Sequence, residues 1–388
     1  MLPDLLVLLS GLWTEALVVR WLWRRYAPHG RARTIIRAGA AFFACFLTFG
    51  FLLRFARVAI SFAETFSPGW IRPWQGVVIG WALLSLPATL LLYGAGLGER
   101  AWRRLAPISS NPERRRFLKL VPTAAITAPA VALGYGVFIA RDGLKLREQK
   151  IALPELPEDL DGITIAQLTD IHLGDFVSRR QVERAVAIAN ETRPRIALVT
   201  GDLITTGEDP LDQCLDALQN LRAEAGVFGC LGNHEVYARV EAYVAREGAR
   251  RGMFFLRQEN TLLRFGNARL NLAGVDYQNI RQPYLAGAEN LLVEGAFNLL
   301  LSHNPDVFPV AAAKGFPLTL SGHTHGGQVR VEILHQDLNI ARFFTPFVDG
   351  LYRQDRSAIF VSRGIGTIGI PARLGAPPEV ALITLVRG

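Results

Sequence analysis

Four apolar stretches, at residues 5–23, 38–53, 76–97 and 121–140, dominate the first 140 positions of this 388-residue chain. A helix that crosses a bilayer needs about 20 mostly apolar residues, and each run comes near that length, the second being the shortest. Only the first carries an acidic residue in its middle, Glu15. All seven tryptophans fall between Trp13 and Trp102, close to arginines, as at the edges of membrane-crossing helices. Residues 1–140 therefore read as a transmembrane region of about four helices.

The charge divides the same way. Residues 1–150 carry 20 Lys and Arg against 7 Asp and Glu, and the remainder 22 against 27. The net charge of +8 therefore does not point to nucleic acid, because the positive excess belongs to the membrane-like half. Arginines crowd the connections after the first and third stretches. The positive-inside rule puts those connections in the cytoplasm, and the N-terminus and everything after residue 140 outside. Arg114-Arg115-Arg116-Phe117-Leu118-Lys119, before the weakly apolar fourth stretch, reads either as a twin-arginine export signal or as a basic cytoplasmic anchor. Both readings send the C-terminal domain outward, to the extracytoplasmic face of a bacterial inner membrane. Cys45, Cys214 and Cys230 are too few for a disulfide framework. Cys214 and Cys230 read as small buried apolar residues, with one bridge between them conceivable.

Residues 141–160 are polar, with Pro154 and Pro157, and read as a linker. From 161 to 388 the pattern is that of a layered α/β domain. Short β-branched runs at 163–168, 195–200 and 226–231 alternate with helical spacing at 178–192, 210–221 and 235–250, which implies a parallel sheet with crossover helices. Strands follow at 261–265, 269–275, 297–302, 317–321, 328–331, 358–362 and 380–386 with few helices between them. They predict a mixed sheet packed on another.

The polar residues that follow these strands are of a restricted kind. Asp170-Ile171-His172 follows the first, Gly201-Asp202 the second, and Gly232-Asn233-His234-Glu235 the third. His303 and Gly322-His323-Thr324-His325 follow two later strands. Ligand sites of parallel α/β sheets lie outside the carboxyl ends of strands. Of seven histidines only His29 and His335 lie outside these clusters. Imidazoles mixed with carboxylates and an amide oxygen suit divalent Mn, Fe or Zn. There are too many ligands for one tetrahedral zinc, whereas two ions about 3.5–4 Å apart and bridged by a carboxylate would use them all. Such a pair activates a hydroxide for attack on phosphorus.

The set Asp-x-His, Gly-Asp, Gly-Asn-His-Glu, His and Gly-His-x-His resembles the calcineurin-like metallophosphoesterases. The resemblance covers roughly residues 163–387. The run from Gly322 to Gln328, with Ser362-Arg363-Gly364-Ile365-Gly366-Thr367 and Pro377-Pro378-Glu379-Val380, resembles the membrane-associated, twin-arginine-exported bacterial branch. That branch usually has one anchor, and four spans depart from it. The resemblance implies an α/β/β/α sandwich of two mixed sheets and two divalent metal ions. It makes Asp170, His172 and His325 ligands of one ion and Asn233, His303 and His323 ligands of the other. Asp202 becomes the bridge, and His234 a non-ligand that contacts phosphate and protonates the leaving oxygen. The implied activity is hydrolysis of a phosphate ester or pyrophosphate, with a lipid-linked substrate favoured by the bilayer's proximity. The alternatives are a non-catalytic membrane sensor of metal or phosphate, and a cytoplasm-facing pyrophosphatase of nucleotide-linked lipid precursors.

Overall fold

The computed structural model describes residues 131–278, 284–333 and 336–388, with scattered positions before 131. The apolar stretches lie largely outside the described residues, and the 114–119 motif wholly so. The described positions before residue 139 are helical. No helix among the described residues is long and apolar enough to cross a membrane. The chain forms two compact units, Met1–Phe138 with Gly369–Pro371, and Ile139–Ile368 with Ala372–Gly388.

The second unit opens with β1 (Lys145–Leu153), β2 (Thr164–Leu168), α1 (Arg179–Glu191), β3 (Ile196–Thr200), α2 (Leu211–Leu218) and β4 (Val227–Cys230). Next come α3 (Asn233–Ala238), α4 (Glu241–Arg250), β5 (Met253–Phe255), β6 (Glu259–Phe265), β7 (Ala268–Gly274) and β8 (Phe297–Leu301). The remainder is α5 (Phe308–Lys314), β9 (Leu318–Ser321), β10 (Arg330–Ile333), β11 (Gln336–Asn339), β12 (Gly350–Gln354), β13 (Ser357–Val361) and β14 (Glu379–Arg387).

Two six-stranded mixed sheets result, in the orders β1-β14-β2-β3-β4-β5 and β12-β13-β9-β8-β7-β6. Each has a parallel core, β2 to β5 in one and β13, β9, β8 and β7 in the other. The sheets pack face to face through Ile165, Leu198, Leu299, Leu320 and Phe360, all fully buried. Strand alternation turns Ala166, Leu168, Ala197 and Val199 to the opposite face, against α1 and α2. Ala311 of α5 and Phe316 close the outer face of the second sheet. The layers are those of an α/β/β/α sandwich. Burying a Leu or Ile side chain is worth about 1.5–3 kcal/mol, which makes this double core the main stabilising term.

The ten strands expected after residue 161 all form close to their expected bounds, β5, β11 and β12 were not expected, and Ser178 caps α1 in a capping box with Gln181. Two further features differ. Polar composition marks residues 141–160 as a linker, yet Lys145–Leu153 is a strand. β1 is an edge strand, and burial reaches only Ile151 and Leu153, so no regular apolar alternation was available to read. The single helix expected at 235–250 is two, because Arg239 takes a left-handed conformation (φ 58) and ends α3. Cys214 and Cys230 are buried free thiols, one facing the helix layer and the other the core between the sheets.

Candidate metal centre

In both sheets the carboxyl ends of the parallel strands converge. Asp170 and His172 follow β2, Asp202 follows β3, and Asn233 and His234 lie on the first turn of α3 after β4. His303 follows β8, and His323 and His325 follow β9. Backbone bonds lock these loops together. The Asp170 N–H donates to Gly201 O and the His172 N–H to Asp202 O, while Gly322 N–H donates to His303 O, joining the second sheet's loops.

The side chains form three overlapping groups. Asp170, His172 and His325 place one ligand atom each within 4.8 Å of one another, as do His172, Asp202 and His234, and Asp202, His303 and His323. Asp202 Oδ2 lies 3.0 Å from His303 Nε2 and 3.5 Å from His172 Nε2. His172 and His325 point their Nε2 atoms at each other across 3.1 Å. Every sequence-predicted aspartate and histidine of the site is thus in these overlapping groups, Asn233 lies beside His234 on α3, and all but His234 and His323 are below a tenth exposed.

The backbone is strained where these residues sit. Asp170, His172, Asp202, His323 and His325 all have positive φ, between 49° and 77°. Such conformations cost on the order of 1–3 kcal/mol each and persist only where the surroundings enforce them. Glycine removes the remaining obstruction. A Cβ on Gly232 would stand 2.1 Å from Asp202 Oδ1, and one on Gly201 (φ 89°) 2.5 Å from the Gly232 nitrogen.

Neighbouring groups fix which nitrogen of three imidazoles faces the centre. His303 Nδ1 donates to Thr200 O (2.7 Å), His172 Nδ1 lies 3.1 Å from Thr205 Oγ1, and His234 Nδ1 donates to Thr205 O (2.6 Å). This leaves each Nε2 turned inward, the usual arrangement behind a metal-binding histidine. Asn233 Oδ1 is buried and has no hydrogen-bond partner, and His303 Nε2 is buried with the Asp202 carboxylate 3.0 Å away. Buried carboxylate, imidazole and amide groups brought together are the chemistry a divalent cation satisfies, so the residues present fit such ions.

The electrostatics agree. Burial pushes His172 down to about 3 and His323 down to about 4, and His325 falls well below its ordinary value for the same reason. All three are neutral at pH 7. Burial also disfavours charge on His303, but the Asp202 carboxylate beside it outweighs burial and raises its pKa. Burial raises Asp170.

A pH dependence follows. Without metal, the His303–Asp202 pair stabilises the fold fully below the ordinary histidine pKa, and that stability is lost as pH rises through the raised value. Metal binding needs neutral His303. Near pH 7 it should therefore expel about one proton, and apparent affinity should rise with pH up to that raised value. Titration calorimetry in two buffers of different ionisation heat measures the count. Zero protons released would mean that His303 is already neutral.

Three contributors escaped sequence reasoning. Glu235, whose contact with His234 the motif left open, does not serve that residue. Its carboxylate accepts the N–H groups of Asp202 (2.9 Å), Leu203 (2.7 Å) and Gly232 (2.8 Å), tying two ligand loops together. Burial, then the nearby Asp202 charge, raises its pKa, and those three donors oppose the rise. Arg373 is fully buried and donates to the carbonyls of His325, Arg363 and Gly366, holding the His325 loop from behind. Its loop carries no periodic signal that could have found it. Tyr277 follows β7 at the same edge, its ring 5.6 Å from His323, and only that strand-end position hinted at it.

Arginine suits extra phosphate charge, and Arg179, Arg180, Arg281 and Arg363 are the candidates in this domain's sequence; Arg179 pairs with Glu183 and Arg363 with Asp349. Arg180 lines a cavity beside the loop that follows His172. Arg281 lies outside the described residues.

Known proteins agree with this geometry. The calcineurin-like phosphoesterase family matches residues 163–327. A metallophosphoesterase of Aquifex aeolicus is 31% identical over 270 residues, 66% of this chain and 97% of that protein. The phosphodiesterase YaeI of Escherichia coli is 28% identical over 288 residues, 70% of this chain and 99% of that protein. A zebrafish (Danio rerio) transmembrane protein with a metallophosphoesterase domain is 29% identical over 299 residues, 72% of this chain and 64% of that protein. Strand-end ligands, strained loops and these relatives lead to one conclusion: the chain belongs to the calcineurin-like metallophosphoesterases, metal-dependent hydrolases of phosphoric esters.

Proposed function

We propose that this chain is a membrane-anchored phosphodiesterase or pyrophosphatase with two divalent ions, Mn, Fe or Zn, acting on a lipid-linked substrate outside the cytoplasmic membrane. The carrying observation is that two ligand groups, Asp170, His172, His325 and Asp202, His303, His323, are linked through the Asp202 carboxylate, 3.0 Å from one histidine and 3.5 Å from another. In this reading the first three residues hold one ion. Asn233, His303 and His323 hold the other, and Asp202 spans both. The ions supply Lewis acidity toward a phosphoryl oxygen and a nucleophilic water at neutral pH.

The protein's own residues do the rest. Glu235 fixes the loop that carries Asp202, and the His234 backbone N–H donates to Asp202 Oδ1 (3.0 Å), turning that carboxylate toward both groups. His234 Nδ1 is committed to Thr205 O, so its Nε2 is the atom available to the phosphate and, when protonated, to the departing oxygen. Tyr237 and Tyr277, with ring centroids 6.5 Å apart, flank His234 and His323 and line one side of the approach.

Two observations support the anchor. Ile35, Phe42 and Phe49 are helical and are 71%, 73% and 53% exposed. Large apolar side chains standing outward are what a lipid-facing helix presents. A relative is named a transmembrane protein. The name of another, a phosphodiesterase, supports a diester substrate.

The test is the full chain purified in detergent. Metal analysis should give about two ions per chain, and a panel of phosphomonoesters, phosphodiesters and lipid pyrophosphates should show the last two turned over faster. One tightly held ion per chain, or preference for soluble monoesters, would overturn the reading. A reporter fused at Gly388 fixes the side of the membrane.

A further inference from the structure

The strand order fixes where the chain joins the phosphoesterase domain. β14 runs antiparallel to β2, with Ala381 opposite Gln167, and β1 runs parallel to β14, with Lys145 opposite Glu379. The first residue of β1 therefore lies at the same edge as the carboxyl end of β2, which carries Asp170 and His172. It is two strand spacings away, about 10 Å. Residues 139–144, which lead out of the apolar N-terminal region, meet the domain on its catalytic edge rather than behind it.

Several of the exposed apolar residues lie near this edge. Among the described residues of this unit, the large exposed hydrophobics are Ile139, Leu146, Tyr237, Phe254, Leu262, Phe343 and Phe344. Ile139 and Leu146 flank the start of β1, and Tyr237 is three residues beyond His234. Phe343 and Phe344 are the most exposed, at 87% and 82%. They lie on a one-turn segment after the β10–β11 hairpin, preceded by Arg342. This segment is tied down on both sides. Asn339 donates to Gly326 O (3.0 Å), next to His325, and Thr345 donates to Asp306 Oδ1 (2.5 Å), three residues beyond His303. Two phenylalanines are thus held in solvent by the loops that carry two of the candidate ligands.

On the same edge, a cavity of about 930 Å³ lies between the start of the domain and the loop after His172. Its walls join Arg141, Arg180 and Arg184 to Leu144, Phe176 and Ile365, with Asp142, Asp175 and Glu183 also present. The cavity thus joins charged side chains of both signs to apolar ones, an amphipathic lining. Exposed aromatics beside arginine are what a lipid–water interface takes up.

We propose that the phosphoesterase domain seats its catalytic edge on an anionic phospholipid bilayer through Phe343 and Phe344, so that the metal centre faces substrate held in that bilayer. This rests on the reading that residues 1–140 anchor the chain.

The experiment uses the full chain reconstituted in phosphatidylcholine–phosphatidylglycerol vesicles. Cys214 and Cys230 are buried, and burial raises both thiols, so replacing Cys45 by Ser and Phe344 by Cys leaves one reactive thiol for an environment-sensitive fluorophore. Blue-shifted emission quenched by nitroxide-labelled lipid is expected, and water-like emission unaffected by the quencher overturns the proposal. In parallel, Phe343→Ser/Phe344→Ser should lower kcat/KM on the order of tenfold or more for a bilayer-held phosphodiester and leave a soluble aryl phosphodiester unchanged. Equal rates for both substrates, relative to the parent, would also overturn it. Vesicle flotation of the parent tests the anchor, and metal-dependent turnover of the soluble ester tests the phosphoesterase reading, so each can fail separately from the fluorophore result.

Discussion

Asp202→Ala should abolish hydrolysis and metal occupancy together. The carboxylate contacts His303 and His172 and belongs to two of the three ligand groups, so no other residue can substitute for it. Its removal also leaves the His234 N–H without its acceptor and His303 without the charge that raises its pKa. Turnover should fall by at least about 10⁴, because a two-ion clamp loses its shared ligand and positioning of both oxygens fails at once. Stability should fall near pH 6, where His303 is charged, because the ion pair is lost and alanine tolerates the left-handed conformation (φ 57°) less well than aspartate. Elemental analysis beside a turnover assay decides the matter. A purified, folded variant that keeps two ions would overturn the bridging role, and one that keeps a single tight ion would show that the two sites are separable.

The second large effect concerns His234. His234→Asn should retain metal and lower kcat by about 10²–10⁴ for an alkoxide leaving group, the usual range for a lost general acid. An aryl leaving group of low pKa needs less proton donation, so its loss should be smaller. The geometry makes this test sharp. His234 stands edge-on to His172, with ring centroids 4.8 Å apart, and shares a ligand-sized cluster with His172 and Asp202. Proximity alone therefore allows a ligand role as well. Loss of an ion in the variant would make His234 a ligand. Equal losses for both leaving groups would make it a phosphate-positioning residue. Keeping Asn at 234 preserves a polar side chain of similar reach, and the backbone N–H that serves Asp202 is unaffected.

Much of the site was legible in the sequence because its residues come from strand ends. A parallel strand presents its next few residues at one sheet edge, so Asp170, His172, Asp202, Asn233, His303, His323 and His325 could be gathered before any coordinates. Residues that act through another residue were not legible. Glu235 belongs to a recognised motif, yet nothing local says that its carboxylate caps the N–H groups of Asp202 and Leu203, which lie 32 or more positions away. Arg373 is a buried cation held by carbonyls in a loop, and no periodicity marks such a place.

The sequence by itself determined the layers and the sheet edge at which the candidate ligands gather, because strand alternation, glycine placement and side-chain type are local properties. It also separated an apolar, arginine-rich half from a domain with alternating patterning, because hydrophobic run length is read along the chain. Tertiary structure alone decided three things. It made residues 145–153 a strand, since an edge strand gains its pairing with β14 from residues more than 230 positions away. It fixed which nitrogen of three histidines turns inward, since Thr200 and Thr205 come from other segments. It also brought the start of the domain to the edge that carries Asp170 and His172, and tied the segment before Phe343–Phe344 to the loop of His325, because strand order and cross-loop hydrogen bonds, not sequence spacing, decide such neighbours.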